Sequence, residues 1–557
     1  MIGRRHFALG LTGTLGTSGL MGCGHVRHFF QPEVSRTTID IHTHFFNGRD
    51  VPVVGFLKQT VIRDPHAPVD QDMVSDAFFK LLKAILLINT PTAHAELEHI
   101  GGQVTPAPPE VILARDQENV AKGITQFAHG VGRETAGLTT SRSAEEAILD
   151  RIATEVGAPE LRSSLHTMRA QGSALANRIY QTARSERQVP GEEHEYVHRS
   201  PLMQTIRWAG LLTRPRLDIL AELDRLYGGP GLIRVFSPSL VDFGAWFITE
   251  ETVTPIEDQI DLVAAIARRY TDALVLPFAP FCPLRAALER EDNPQIDPLR
   301  HVKRAVLELG FAGIKLYPPM GFRPVGNASS LSWVPRKPQG GAAMLDHELE
   351  ALYLWCIENE VPIKAHANNS IAAGPNTGSF ADPAGWAELL RDPRFRNLQL
   401  NLAHFGGFDE TAPRGLFPSP GDWEETLADM VEEFPNLYFD LGYWTEATQS
   451  ESDQRARVIA RTRVLFDRSP QMVERMMYGS DWSMIGREPG HPAYLAGVLS
   501  ALKELGLDEA ATERVMGGNA GRYLGLDRNG RQRARLNAAY ADHPVYQAIF
   551  DRWTWIR

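Results

Sequence analysis

Eight short apolar runs, spaced along most of the chain, constrain its fold more than any other feature. They lie at 38–42, 231–236, 273–278, 312–316, 361–366, 398–404, 437–441 and 475–481. Helical patterns fill the gaps. Ile260, Val263, Ala264 and Ile266 recur at helical spacing within 256–270, and residues 301–309 and 344–360 repeat that rhythm. Strands alternating with helices predict a parallel sheet. Eight such units predict an α/β fold of the (β/α)8 TIM-barrel type rather than an open sheet. A barrel gathers its reactive groups at the C-terminal ends of its strands. His366, His404 and Asp481 each end a run, and His42 and His44 stand at the end of the first.

The barrel is assigned to residues 36–50 and 230–526. Residues 51–229, between the first and second runs, are too many for a plain loop and must hold structure of their own. Helical patterns over 74–87, 144–180 and 217–227, parted by proline-rich stretches such as 105–109, predict a mostly helical insertion covering the barrel mouth. Residues 527–557 read as a polar, arginine-rich helical tail packed on the outside. A chain of 557 residues suits one large barrel with such an insertion.

The formal net charge of -11 argues against a basic face for nucleic acid. Cys23, Cys282 and Cys356 are the only cysteines, too few and too far apart for a disulfide framework or a thiolate site. A metal would therefore sit on histidine and carboxylate. In His42-Thr43-His44, alternate strand residues turn to one face, so both imidazoles can reach one ion. The pair alone is weak evidence; its ordered company of His366, His404 and Asp481 at later strand ends, with Lys315 on the fourth run, strengthens it.

The stretches IDIHTHFF, GFAGIKLYPPMGF, PIKAHAN, LNLAHFGG, YGSDW and GGNAGRYLGL, in this order, resemble the amidohydrolase superfamily, in its amidohydrolase-related branch. The resemblance covers the barrel and not the insertion. It implies a divalent metal held by His42, His44, His366 and Asp481, with His404 and Lys315 as further candidate ligands. Zinc is the first choice, and manganese, iron or cobalt also suit such donors. One ion is favoured; a second would need a carboxylated Lys315 as bridge, and otherwise Lys315 pairs with an anionic substrate or a structural acid. The implied chemistry is water activation against an ester, lactone or amide carbonyl of a small molecule, with Asp481 and His404 catalytic. Arg323, Tyr317 and Trp482 are candidate substrate contacts, and Asn519 reads as a structural helix N-cap.

Two alternatives stand beside this. One is a non-oxidative decarboxylase on the same barrel, in which the metal grips substrate and no water attacks; Lys315 and export lean toward hydrolysis. The other is a non-catalytic binding lipoprotein, against which the intact ligand set speaks. His194-Glu195-Tyr196-Val197-His198 matches the metalloprotease helix motif, but its short polar setting between Pro190 and Pro201 gives no apolar face, so it reads as an exposed stretch of the insertion. At the N-terminus, Arg4 and Arg5 before a weakly apolar run resemble a twin-arginine export signal over residues 1–22. Leu20-Met21-Gly22-Cys23 resembles a lipobox, with Cys23 as a lipid anchor site. Both predict a periplasmic or lipid-anchored protein of the bacterial envelope.

Overall fold

The computed structural model describes residues 38–52, 55, 76–100, 105–134, 144–157, 172–180, 201–228, 233–247, 254–334, 336–369, 373–374, 376–407, 423–448, 453–488 and 490–552. Residues 1–22, which resemble an export signal, Cys23 and the His194–His198 motif lie outside them.

All pairings are parallel. Strands β1 (Thr38–Thr43), β2 (Ile233–Pro238) and β3 (Leu274–Val275) form one sheet. Strands β4 (Phe278–Pro280), β5 (Gly313–Leu316), β6 (Ile363–His366), β7 (Leu400–Ala403), β8 (Leu437–Asp440) and β9 (Met476–Met477) form the other, in that order. β3 and β4 are one run interrupted at Pro277, which has no N–H to give to a neighbour. A bridge between Ser239 and Phe278 joins the sheets there. At the other edge Ile41 N donates to Tyr478 O at 3.1 Å and Asp481 N to His42 O at 2.7 Å, so the last strand returns to the first. Counting β3 and β4 as one, eight strands form the ring of a TIM barrel.

The strand sequences TIDIHT, GIKL, IKAH, LNLA and LYFD explain both faces of that ring. Successive side chains point to opposite sides. Ile39, Ile41, Ile314, Leu316, Ile363, Ala365, Leu400, Leu402, Leu437 and Phe439 are fully buried on one side. Their neighbours Asp40, His42, Lys315, Lys364, Asn401 and Asp440 are buried but polar; Lys315, Asp440 and Asn401 are linked through His42 and Asp440, while Lys364 bonds to Ser237 and Ser239. A parallel barrel usually fills its middle with branched apolar residues. Here the upper interior is a polar layer.

Between β1 and β2 the described residues form helices Asp76–Leu87, Ala93–His99, Pro109–Glu134, Ala144–Glu155, Pro201–Leu211 and Arg216–Tyr227. They pack on the barrel helix Ile256–Arg269, where Tyr270 OH donates to Asp224 Oδ2 at 2.7 Å, and on the loops after β1 and β9. Gly48 N donates to Leu212 O at 2.9 Å. Trp208 Nε1 donates to Ser483 O at 3.0 Å, and Tyr227 OH to His491 O at 2.6 Å. Arg216, fully buried, is clasped between Asp50 and Glu96. The C-terminal helices Arg531–Tyr540 and Pro544–Arg552 lie at the opposite end: Gln532 Nε2 reaches Ala312 O at 2.5 Å, Tyr540 OH reaches Gly310 O at 2.9 Å, and His543 Nε2 donates to Tyr270 O at 2.9 Å. No helix among the described residues is long and apolar enough to cross a membrane.

Candidate metal centre

Five residues at four strand ends converge on one cluster. His42 is the next-to-last residue of β1 and His44 follows that strand, His366 ends β6, His404 follows β7, and Asp481 lies four residues past β9. His404 and Asp481 sit at φ +70° and +58°, a left-handed backbone that costs a non-glycine residue roughly 1–2 kcal/mol. Local bonds hold both in place: His404 N donates to Asp440 Oδ1 at 3.2 Å, and Asp481 N to His42 O. Non-glycine residues held this way cluster at functional sites.

Hydrogen bonds fix which nitrogen of each ring carries the proton. His42 Nδ1 donates to the Asp440 carboxylate at 3.1 Å, His44 Nδ1 to Ser239 O at 2.8 Å, and His404 Nδ1 to Gly442 O at 2.9 Å. Each acceptor has no proton to give, so all three rings present the Nε2 lone pair inward. His404 Nε2 accepts from His366 Nδ1 at 2.9 Å, and His42 Nε2 from Lys315 Nζ at 3.2 Å. Asp481 Oδ1 stands 3.5 Å from His42 Nε2 and 3.3 Å from His44 Nε2, acceptor facing acceptor. A cation between them relieves that arrangement, and two ligand atoms on a tetrahedral ion with bonds of about 2.0–2.1 Å stand roughly 3.4 Å apart. His42, His404 and Asp481 form the tightest group, each offering an atom within 4.8 Å of the others. The donor set therefore fits a divalent ion. His404, a secondary candidate in the sequence, belongs to that innermost group; His44 and His366 flank it.

The charges suit ligation. Burial, then Lys315, lowers the His42 imidazole well below its usual range, and burial likewise lowers His44 and His366. Those rings are neutral, as ligands must be. Burial opposes ionisation of Asp440, yet its contact with His42 and the hydrogen bonds it accepts from His42 and Asn401 hold its carboxyl below the usual carboxylate range. Burial brings the Lys315 ammonium down to about 8.

The remaining candidates divide. Tyr317 stacks on His366 with ring centres 4.2 Å apart and lines a small cleft with Lys315, Leu240, Trp246, Phe281 and Phe322. Arg323 lies outside the cluster: the turn held by its backbone N to Asn327 Oδ1 leaves it exposed, its guanidinium 4.4 Å from the centre of the Phe380 ring. The buried ring of Trp482 packs beside Tyr227 and His491, and its carbonyl accepts from His44 N. Asn519 caps nothing. It is helical, and its amide ties Val473 O and Met476 O at 2.9 and 2.7 Å, anchoring the foot of β9. Three buried residues escaped the sequence reading. Asp440 grips His42, Lys364 donates to Ser237 O and Ser239 Oγ at 3.0 and 2.9 Å, and Asp40 accepts from Ser480 N at 2.9 Å. A signal existed: a charged residue alternating with apolar ones in a buried parallel strand needs a partner inside.

A parallel barrel with an inward histidine–carboxylate cluster at its strand ends defines a class of metal-dependent enzymes. The amidohydrolase family model matches residues 249–526, and the chain belongs to that family. It is an enzyme of the amidohydrolase type, a family typically dependent on a divalent metal and including hydrolases and decarboxylases. No curated protein matches the sequence. Among solved structures, one similar chain is assigned as a 2-pyrone-4,6-dicarboxylic acid hydrolase from Pseudomonas putida, at 12% identity over 55% of this chain and 87% of that one, with a TM-score of 0.33. Another, assigned as an amidohydrolase from Staphylococcus aureus, has 14% identity over 55% and 91%, with a TM-score of 0.34. A 5-carboxyvanillate decarboxylase from Sphingomonas paucimobilis has 14% identity over 62% and 95%, with a TM-score of 0.32.

Proposed function

We propose that the protein is a hydrolase that activates water at one divalent ion to cleave an ester, lactone or amide bond of a small molecule. The observation that carries this is the convergence of His42, His404 and Asp481, each buried and offering a ligand atom within 4.8 Å of the others, with His44 Nε2 3.3 Å from Asp481 Oδ1. His42, His404 and Asp481 would hold the ion, with His44 and His366 completing its surroundings. A divalent ion there lowers the pKa of its water and polarises a carbonyl oxygen.

The chain's own groups supply the rest. Asp481, facing His42 and His44, takes the proton that leaves the attacking water. His366, hydrogen-bonded to His404 beside the ion, would orient that water. Lys315 Nζ lies within 3.2 Å of His42 Nε2 and donates to the oxygen on which negative charge gathers. Tyr317 and the apolar walls of the cleft take the non-reacting part of the substrate and exclude water there.

The test is product analysis with the metal-loaded protein on panels of small esters, lactones, amides and carboxylic acids. Hydrolysis that stops with a chelator and returns with zinc, manganese, iron or cobalt supports the proposal. Release of carbon dioxide from the acids without hydrolysis would replace it with the decarboxylase. The reading of residues 1–22 as a twin-arginine signal, and of Cys23 as a lipid anchor, places the enzyme at the bacterial envelope. Changing Arg4 and Arg5 to lysine should trap the precursor in the cytoplasm; normal export would refute that placement.

A further inference from the structure

One buried carboxylate that is not itself among the candidate ligands bonds to two of the histidines. Asp440 ends β8, on the strand next to the one that leads to His404. Its Oδ1 accepts from His42 Nδ1 at 3.1 Å, Gly442 N at 2.9 Å and His404 N at 3.2 Å, and its Oδ2 from Asn401 Nδ2 at 2.7 Å. Two residues on, Gly442 O accepts from His404 Nδ1 at 2.9 Å. The tripeptide Asp440-Leu441-Gly442 thus holds two histidines from two other strands, each through Nδ1, so that each Nε2 faces inward. Space enforces the grip: a β-carbon on Gly442 would stand 2.8 Å from His42 Nδ1 and 2.9 Å from Asp440 Oδ1.

We propose that Asp440 is a positioning residue that sets the tautomer and ring orientation of His42 directly and of His404 through the Gly442 turn, and so sets how tightly the centre holds its metal. This rests on the reading of the cluster as a metal site. Removing such an outer partner of a ligating histidine costs about 10–100-fold in metal affinity. A residue that served only the fold would change stability and leave affinity alone.

The Asp440→Asn variant removes the charge and little else. The new amide would face Asn401, whose Oδ1 is buried without a partner and becomes the acceptor it needs once that side chain turns over. Two readouts are taken on the full chain. Zinc and cobalt affinities come from chelator competition, with the cobalt absorption spectrum. The tautomers of the two rings come from nitrogen shifts of metal-free, 15N-histidine-labelled protein. We expect metal binding weakened about 10–100-fold, an altered cobalt spectrum, and a changed Nδ1 shift of His42 as its acceptor turns from a carboxylate into a neutral amide. Wild-type affinity together with wild-type histidine shifts would overturn the proposal. A wild-type protein that takes up no metal would sink the metal reading, while the nitrogen shifts would still decide whether Asp440 orients the rings. Should Asp440→Asn fail to fold, Gly442→Ala keeps the carboxylate and crowds His42. It should weaken metal binding too, and unchanged affinity there would count against the proposal.

Discussion

Replacing Arg216 with methionine tests how the insertion is fastened to the barrel. Arg216 is 1% exposed and lies between Asp50, seven residues after β1, and Glu96 on an insertion helix. Its Nε donates to Asp50 Oδ2 at 2.8 Å, its Nη1 to Glu96 Oε1 at 2.5 Å, and its backbone N to Glu96 Oε2 at 2.9 Å. Methionine fills much of the volume but leaves two buried carboxylates without a cation, which costs about 3–5 kcal/mol. Burial already pushes the Glu96 carboxyl up to about 7, even beside Arg216. A carboxyl raised in the folded state contributes stability that is present below its unfolded value of about 4.3 and is lost as pH rises through 7. Without Arg216 it rises further, so the variant's deficit should be larger at about pH 8 than at about pH 5.5. The assay is urea denaturation at both pH values, followed by intrinsic fluorescence. Adding Asp50→Asn and Glu96→Gln to the variant should restore much of the loss, because the unpaired charges are then gone. A deficit under about 1 kcal/mol, or one that the added changes leave untouched, would refute the reasoning.

Other expectations follow from the same contacts. Tyr317→Ala should raise KM or lower kcat at least several-fold by removing the ring stacked on His366, while Arg323→Ala should leave both near wild type; steady-state kinetics on one cleaved substrate separates them. Tyr540→Phe deletes the bond to Gly310 O at the end remote from the site and should cost about 1 kcal/mol in urea with activity unchanged. Trp208→Phe loses the tie to Ser483 O beside the Asp481 loop, so about 1 kcal/mol of stability and part of the activity should fall together.

The barrel was legible because every run carries two messages. In IKAH, isoleucine and alanine mark the face that packs outward, and the closing histidine marks the site end. His42, His44, His366, His404 and Asp481 could be read the same way, since reactive side chains in this fold must stand at strand ends. Tertiary geometry hid the rest. The last strand keeps only two paired residues of its run, and beyond it Gly479 lets the backbone pass so close to His42 that a β-carbon would meet His42 Cβ at 2.9 Å. Helix Pro109–Glu134 escaped notice because proline-rich 105–109 suggested a loop and Gly123 interrupts it; that glycine is a packing device, letting the helix approach Ile85 so closely that a β-carbon would lie 2.6 Å from Ile85 Cα. Arg323 follows the fourth strand closely in sequence, but the Asn327 turn leaves it at the surface. Asp440 and Lys364 act through residues far away in the chain, so only the folded barrel shows their partners.

The most direct test of the central claim is the metal content of the purified, metal-replete protein, measured by elemental analysis beside a variant carrying His42→Ala, His404→Ala and Asp481→Asn. The account predicts about one equivalent of divalent metal in the wild type and almost none in the variant, with both chains folded. No metal in the wild type, or the same content in the variant, would contradict it.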